Sequence, residues 1–151
     1  MIETRPLFDI RLSVPTILDL GDTPEGRRRI AHVTGGTFEG ERLRGEVVPA
    51  PGGDWLLLRP DGVTVLDVRI VLRTHDDALI SMRYRGVRHG PAEVMARLAA
   101  GETVDPASYY FRMVPVFETS AASYQWLNRI VAIGKGRREA SGPIYSVHEV
   151  L

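Results

Sequence analysis

The 151-residue sequence contains no cysteine. Disulfide staples, thiolate nucleophiles and cysteine-ligated metals are therefore excluded. It also lacks an excess of charge of either sign: 19 basic residues balance 19 acidic ones, the formal net charge is zero and the pI is near 6.9. A protein held to phosphate backbones by bulk electrostatics carries a basic surplus, so no nucleic-acid partner is expected. Lysine is scarce, Lys135 being the only one. The run Arg27-Arg28-Arg29, with Glu25 beside it, reads as a solvated turn rather than an anion patch. No apolar run reaches the ~18 residues of a membrane span. The N-terminus has no basic segment leading into an apolar stretch. A soluble, cytoplasmic protein without a membrane partner is the expectation.

Reactive motifs are missing too. His32, His75, His89 and His148 are scattered, with no His-x-His or His-Glu-x-x-His spacing, so no metal is expected. There is no Gly-x-Ser-x-Gly elbow for a serine nucleophile. The glycines of Gly35 to Gly40 and of Gly134-Lys135-Gly136 lack phosphate-loop spacing and a following helix. They read as strand bends, and no cofactor is implied.

What the sequence does have is alternation. Phe8, Ile10, Leu12 and Val14 alternate with Asp9, Arg11 and Ser13, as in a half-buried strand. Further strands are expected at 29–33, 43–48, 55–59, 63–74 and 79–87, with 20–26 as a loop, 49–54 as a turn, and Pro60-Asp61-Gly62 and His75-Asp76-Asp77-Ala78 as turns. Trp55, in Asp-Trp-Leu-Leu-Leu, is expected to be mostly buried. The one persuasive helix is Pro91 to Ala100, with proline in its first turn, Glu93 near its start and Gly101 as its stop. Tyr109 to Asn128 reads as two strands joined by a small-residue turn. Asn128 to Ile133 completes the second of these, 134–143 reads as a polar loop, and Ile144 to Val150 as a last strand. About 8–10 strands at hairpin spacing with a single helix argue for an all-β, single-domain antiparallel β-barrel or sandwich over residues 1–151. Glycines within strand patterns supply the close approaches a curling sheet needs.

Two strands carry candidate chemistry. On the long strand, Asp67 and Arg69 share the odd face with Val65 and Val71, opposite Leu66, Val68, Ile70 and Leu72. On the strand from Tyr109, one face carries Tyr110, Arg112, Val114, Val116 and Glu118; Tyr124, Trp126 and Asn128 share a face beyond the turn. If these faces close around a cavity, Arg69 and Arg112 suit a carboxylate, phenolate or enolate, because the guanidinium fork matches such oxygens. Asp67 or Glu118 is then the proton carrier, tuned by those neighbours, and Tyr110, Tyr124 and Trp126 an aromatic wall, with Asn128 beside them. An ion-paired barrel interior, or a solvent face, accounts for the same residues without a ligand.

Several segments resemble a family of small bacterial proteins catalogued as "domain of unknown function 3237". They are Gly-Gly-Thr-Phe-Glu-Gly at 35–40, Leu-Arg-Gly-Glu-Val at 43–47, Gly-Asp-Trp at 53–55, Arg-Pro-Asp-Gly at 59–62, Leu-Asp-Val-Arg at 66–69, Tyr-Phe-Arg at 110–112, Phe-Glu-Thr at 117–119 and Trp-Leu-Asn at 126–128. Where that pattern has Asp-Gly before Leu79, this chain has Asp76-Asp77. The resemblance implies an antiparallel β-barrel, expected to self-associate as a homodimer or larger homo-oligomer, and no established reaction. Three functions remain open: a cofactor-free lyase, isomerase or cyclase acting on a small anionic or phenolic molecule; a carrier of such a molecule; and a packed structural barrel.

Overall fold

The computed structural model describes all 151 residues. Eleven strands follow one another: β1 (Thr4–Ser13), β2 (Thr16–Thr23), β3 (Gly26–His32), β4 (Gly35–Glu39), β5 (Arg44–Val47), β6 (Gly53–Leu58), β7 (Thr64–Thr74), β8 (Leu79–His89), β9 (Tyr110–Glu118), β10 (Ala132–Glu139) and β11 (Gly142–Val150). Three pairs are single strands interrupted by a bend. Pro15 separates β1 from β2, while β4 and β5 pair with each other as β3 pairs with β6. β7 then receives β6 along its first half and β5 along its second. With those bends healed there are eight staves, each antiparallel to its chain neighbour. The ring closes where β11 pairs with β1, from Thr4↔Val150 to Arg11↔Ile144. The expected antiparallel barrel is therefore the fold. No helix is long and apolar enough to cross a membrane.

Period-two alternation fills the interior. On β7 the even residues from Thr64 to Thr74 are all buried, whereas Arg69 and Arg73 of the odd set are exposed. Ile80, Met82 and Tyr84 of β8 and Phe111, Met113 and Phe117 of β9 continue the same core. Aromatic edges lock it: Phe8 meets Phe38 at 5.5 Å and Phe117 at 5.9 Å, and Tyr145 meets both Tyr84 and Phe111 at 5.2 Å, all T-shaped. Closing so narrow a barrel brings backbones together. A Cβ on Gly36 would lie 2.0 Å from the carbonyl oxygen of Arg11, and one on Gly136 would run into the Phe111 ring at 2.8 Å. Where the family pattern has Asp-Gly, Asp77 takes φ 69°, a conformation glycine reaches without steric cost.

Several expectations are corrected. The predicted loop at 20–26 is largely strand, because β2 and β3 form a hairpin that runs beyond the ring. The predicted polar loop at 134–143 is mostly β10, with Gly134 and Gly136 facing inward under Met113 and Phe111. Tyr124, Trp126 and Asn128 lie on no strand: Ala122–Arg129 is a short 3-10 helix across one end of the barrel, with Tyr124 and Leu127 as its buried contacts. Trp55 is 49% exposed, since its parity on β6 is that of the outer face; Asp54 takes the inner one. The expected helix is present as α1 (Ala92–Ala99), with Val94 and Leu98 buried, and it crosses the other end.

The two ends differ in polarity. At the end crossed by the 3-10 helix, Glu149 accepts from Arg5 at 2.8 Å and Arg42 at 2.6 Å, and Arg42 stacks on Trp126 at 4.3 Å. Asp76 accepts from Thr74 Oγ1 and Tyr124 Oη, and Asn128 exchanges two 2.8 Å hydrogen bonds with the backbone of Thr119. At the end crossed by α1, a cavity of about 170 Å³ opens into the barrel.

Candidate functional site

Asp54 lies at the start of β6, opposite Ala31 of β3 and Val68 of β7, and points into that cavity. It is 8% exposed. Its Oδ1 accepts the backbone N–H of Asp67 at 3.0 Å. Burial pushes the Asp54 carboxyl up to about 6, against the lowering influence of that N–H and of Arg88. A carboxyl so placed changes charge near neutral pH, as an acid–base group must.

Two arginines form a cationic wall of the same cavity, Arg88 two strands along from Asp54 and Arg138 on the opposite stave. Arg88 is the fifth inward position of β8 after Ile80, Met82, Tyr84 and Gly86. Its guanidinium lies 5.5 Å from the centre of the Phe111 ring, and its Nε is closed off from solvent with no hydrogen-bond partner. Burial, followed by the nearby charge of Arg138, pulls the Arg88 pKa down. Arg138 is carried by the inner face of β10, where its own backbone N–H donates to Tyr109 Oη at 2.9 Å. Neither guanidinium comes within 4.0 Å of the Asp54 carboxylate, so no ion pair joins the two sides. Tyr145, fully buried on β11, completes this wall; its hydroxyl lies beside that of Tyr84 without a well-aligned hydrogen bond. Burial pushes the Tyr84 and Tyr145 phenols upward, so both are neutral donors at ordinary pH. An unmade hydrogen bond of this kind costs about 1–3 kcal/mol, and the cavity beside Arg88 Nε and Tyr145 Oη leaves room for an acceptor.

The opposite side is aliphatic: Leu12, Val14, Ile17, Val33 and Leu56, with Met95 and Leu98 of α1 above. Arg29 sits at the rim, 3.7 Å from Asp19. No three acidic or histidine side chains converge anywhere as metal ligands would.

The residues singled out from sequence lie elsewhere. Asp67, Arg69, Arg112 and Glu118 are all on the outer face, because their strand parity is opposite to that of the core. Arg69, Glu118 and Asn128 do come together, with Arg83, in a groove of about 500 Å³ on the outside of the barrel. Arg112 is separate: its guanidinium stacks 4.7 Å over Tyr110 and donates to the Phe111 carbonyl. Asp67 reaches the cavity only through its backbone N–H. Tyr124 and Trp126 belong to the opposite end, bonded to Asp76 and stacked under Arg42.

Asp54, Arg88 and Arg138 were missed for a physical reason. Glycines 86, 134 and 136 occupy inner positions just before the two arginines, so the hydrophobic alternation fades where the strands approach the cavity. The available signal was parity: Tyr84, Gly86, Arg88 and Gly134, Gly136, Arg138 keep the period of two.

Known proteins agree with this architecture. A UPF0311 protein of Rhodopseudomonas palustris strain TIE-1 is 36% identical over 150 residues, 99% of this chain and 97% of the relative. The crystal structure of a conserved protein of unknown function from R. palustris superposes with a TM-score of 0.96 at 35% identity, covering 100% of this chain and 99% of that one. A β-barrel-like protein from Acinetobacter baumannii AYE gives 0.87 at 39% identity, covering 100% and 97%. An enzyme from Penicillium herquei shares the fold alone, with a TM-score of 0.75 at 18% identity over 99% and 95% of the two chains. The model of a protein family of unknown function, DUF3237, matches residues 2–150, and the chain belongs to that family.

Proposed function

We propose that the cavity under α1 binds a small organic anion and that Asp54 exchanges a proton with it, in a cofactor-independent lyase, isomerase or cyclase reaction. The observation that carries this is the pairing of a buried carboxyl, titrating at about 6, with two inward guanidiniums that it does not touch. A ligand oxygen between them would supply the acceptor that Arg88 Nε and Tyr145 Oη lack. Arg88 and Arg138 would hold the anion and stabilise charge that develops on it. Asp54, from β6, would take or give the proton. The Penicillium herquei enzyme is in keeping with a barrel of this shape carrying chemistry.

The test is a ligand screen by thermal shift on wild type, Arg88→Gln, Arg138→Gln and Asp54→Asn, followed by NMR of the incubated ligands. Small acids should stabilise wild type and fail to stabilise Arg88→Gln. Asp54→Asn should keep binding and lose conversion. A ligand that binds the wild type and returns unchanged makes the protein a carrier. Equal stabilisation of wild type and both arginine variants overturns the anion site.

A second site is favoured by one observation. On the outer wall Arg69 and Arg83 are directly opposed across β7 and β8, an unfavourable pairing of like charges, and neither has an acidic partner within 4.0 Å. An anion in the groove they share with Glu118 and Asn128 would relieve it. Arg69→Ala should then abolish any stabilisation by phosphate or citrate that survives in Arg88→Gln.

A further inference from the structure

The two sides of the cavity make different demands on whatever fills it. Its β8–β10–β11 side presents Arg88, Arg138 and the Tyr145 hydroxyl. The side built from β1, β3 and β6 presents Asp54 within and Arg29 at its rim, in a surface otherwise made of aliphatic side chains. That surface does not stop at the barrel's end. It runs from Leu12, 4% exposed, through half-buried Val14 to Ile17, 41% exposed, on the β2–β3 hairpin that extends past the ring. Met95 and the exposed Ala99 of α1 line the other flank of the same track. Arg29, the cation at this rim, faces at 3.7 Å the Asp19 carboxylate, which Arg27 holds at 2.6 Å.

We infer that the ligand is an amphipathic monoacid, its anionic head on the Arg88–Arg138 wall and its apolar body along the Leu12–Val14–Ile17 track towards solvent. This rests on the anion-binding function proposed above and adds the class of molecule. A compact, fully polar acid would leave the aliphatic side wetted. A diacid would carry its second charge over Val14 and Ile17 to a rim whose one cation, Arg29, already faces the Asp19 carboxylate, and burying a charge without a partner of its own is strongly unfavourable. One head group with one apolar body satisfies both sides at once. Burial of each added methylene along the track is expected to tighten binding about fourfold.

The experiment is a titration of straight-chain alkanoates from four to twelve carbons, with α,ω-dicarboxylates of equal length, by calorimetry and, for weak members, NMR line broadening. Affinity should climb by about fourfold per methylene until the tail clears Ile17, then level off, and each diacid should bind at least about tenfold more weakly than its monoacid. Arg88→Gln should lower every member by a similar factor, preserving the slope. Ile17→Asp, at an exposed position, should flatten the slope while sparing the short acids. Short acids that bind with no dependence on length, or diacids that bind as well as monoacids, overturn the inference and leave the anion site standing. Failure of every acid to bind overturns both.

Discussion

The two ends of this barrel are built from the same kinds of residue and satisfy them differently. At the end sealed by the 3-10 helix, Glu149 is held by two guanidiniums, Asp76 by two hydroxyls, and both halves of the Asn128 amide by backbone. At the end under α1, Asp54 has a single backbone donor, and neither Arg88 Nε nor Tyr145 Oη has a well-aligned hydrogen bond. The pKa directions follow. Arg5 first, then Arg42, hold Glu149 below the usual carboxylate range, while burial drives Asp54 above it. A carboxylate that is fully partnered contributes to folding; one that is isolated opposes it and is available to a ligand.

Four substitutions sharpen that contrast, from the largest effect to the smallest. Leu127→Ala, which hollows the sealed end beneath its 3-10 helix, should cost about 2–5 kcal/mol in denaturant unfolding. Leu127 is 1% exposed; a loss below about 1 kcal/mol would mean the helix is not the seal described here. Asp54→Asn should act in the opposite direction. The folded-state pKa of Asp54 is raised from 3.8 to about 6, so the ionised carboxyl weighs against folding as pH rises through that window and fully so above it. The substitution should stabilise the protein by up to about 3 kcal/mol at pH 7–8 and by little at pH 4. Equal effects at both pH values would show that Asp54 is not held neutral by burial.

Glu149→Gln should cost about 1–3 kcal/mol at neutral pH, by leaving Arg5 and Arg42 without their shared acceptor charge. Its depressed folded pKa means the stabilisation exists above the unfolded value and disappears as pH falls through the folded one, so the variant and wild type should converge in acid. Tyr145→Phe should have the smallest effect on stability, a gain of about 1 kcal/mol at the low end of the penalty for an unmade hydrogen bond, since the hydroxyl it removes is buried without a well-aligned one. The same change should weaken acid binding measurably. A large loss of stability would show that the hydroxyl has a partner.

Much of this fold was legible in the sequence, and the reason is visible in β7. Six even positions from Thr64 to Thr74 are all inside, so parity alone separates core from surface there. The same parity, read for chemistry, led to the outer side of the wall. Asp67, Arg69, Arg112 and Glu118 attract attention because they are charged within apolar strands, yet alternation assigns charged positions to the outside by default. The inward charges were hidden by their neighbours. Arg88 comes two residues after Gly86 and Arg138 two after Gly136, where an apolar pattern has just given way to glycine, and Asp54 ends the stretch 49–54 whose prolines and glycines read as a turn although β6 already begins at Gly53. The 3-10 helix at 122–129 was illegible for another reason. Tyr124 and Trp126 have strand-like spacing, and only the tertiary partners Asp76 and Arg42 make a helix the better use of them.

The closure of β1 on β11 has a consequence for how the chain is made. The first strand finds its final neighbour only when the last has been synthesised, and the backbone N–H of Leu151 donates to Glu3 at 2.9 Å at the end of that seam. Until then every growing chain carries two unpaired edges, β1 and the newest strand, and the contact that joins them is the most distant in sequence. Folding of the ring is therefore expected to be slow relative to its hairpins, and truncation from the C-terminus to expose β1 as a template for aggregation. The same seam places both termini together at the sealed end, so a fusion at either one points away from the cavity.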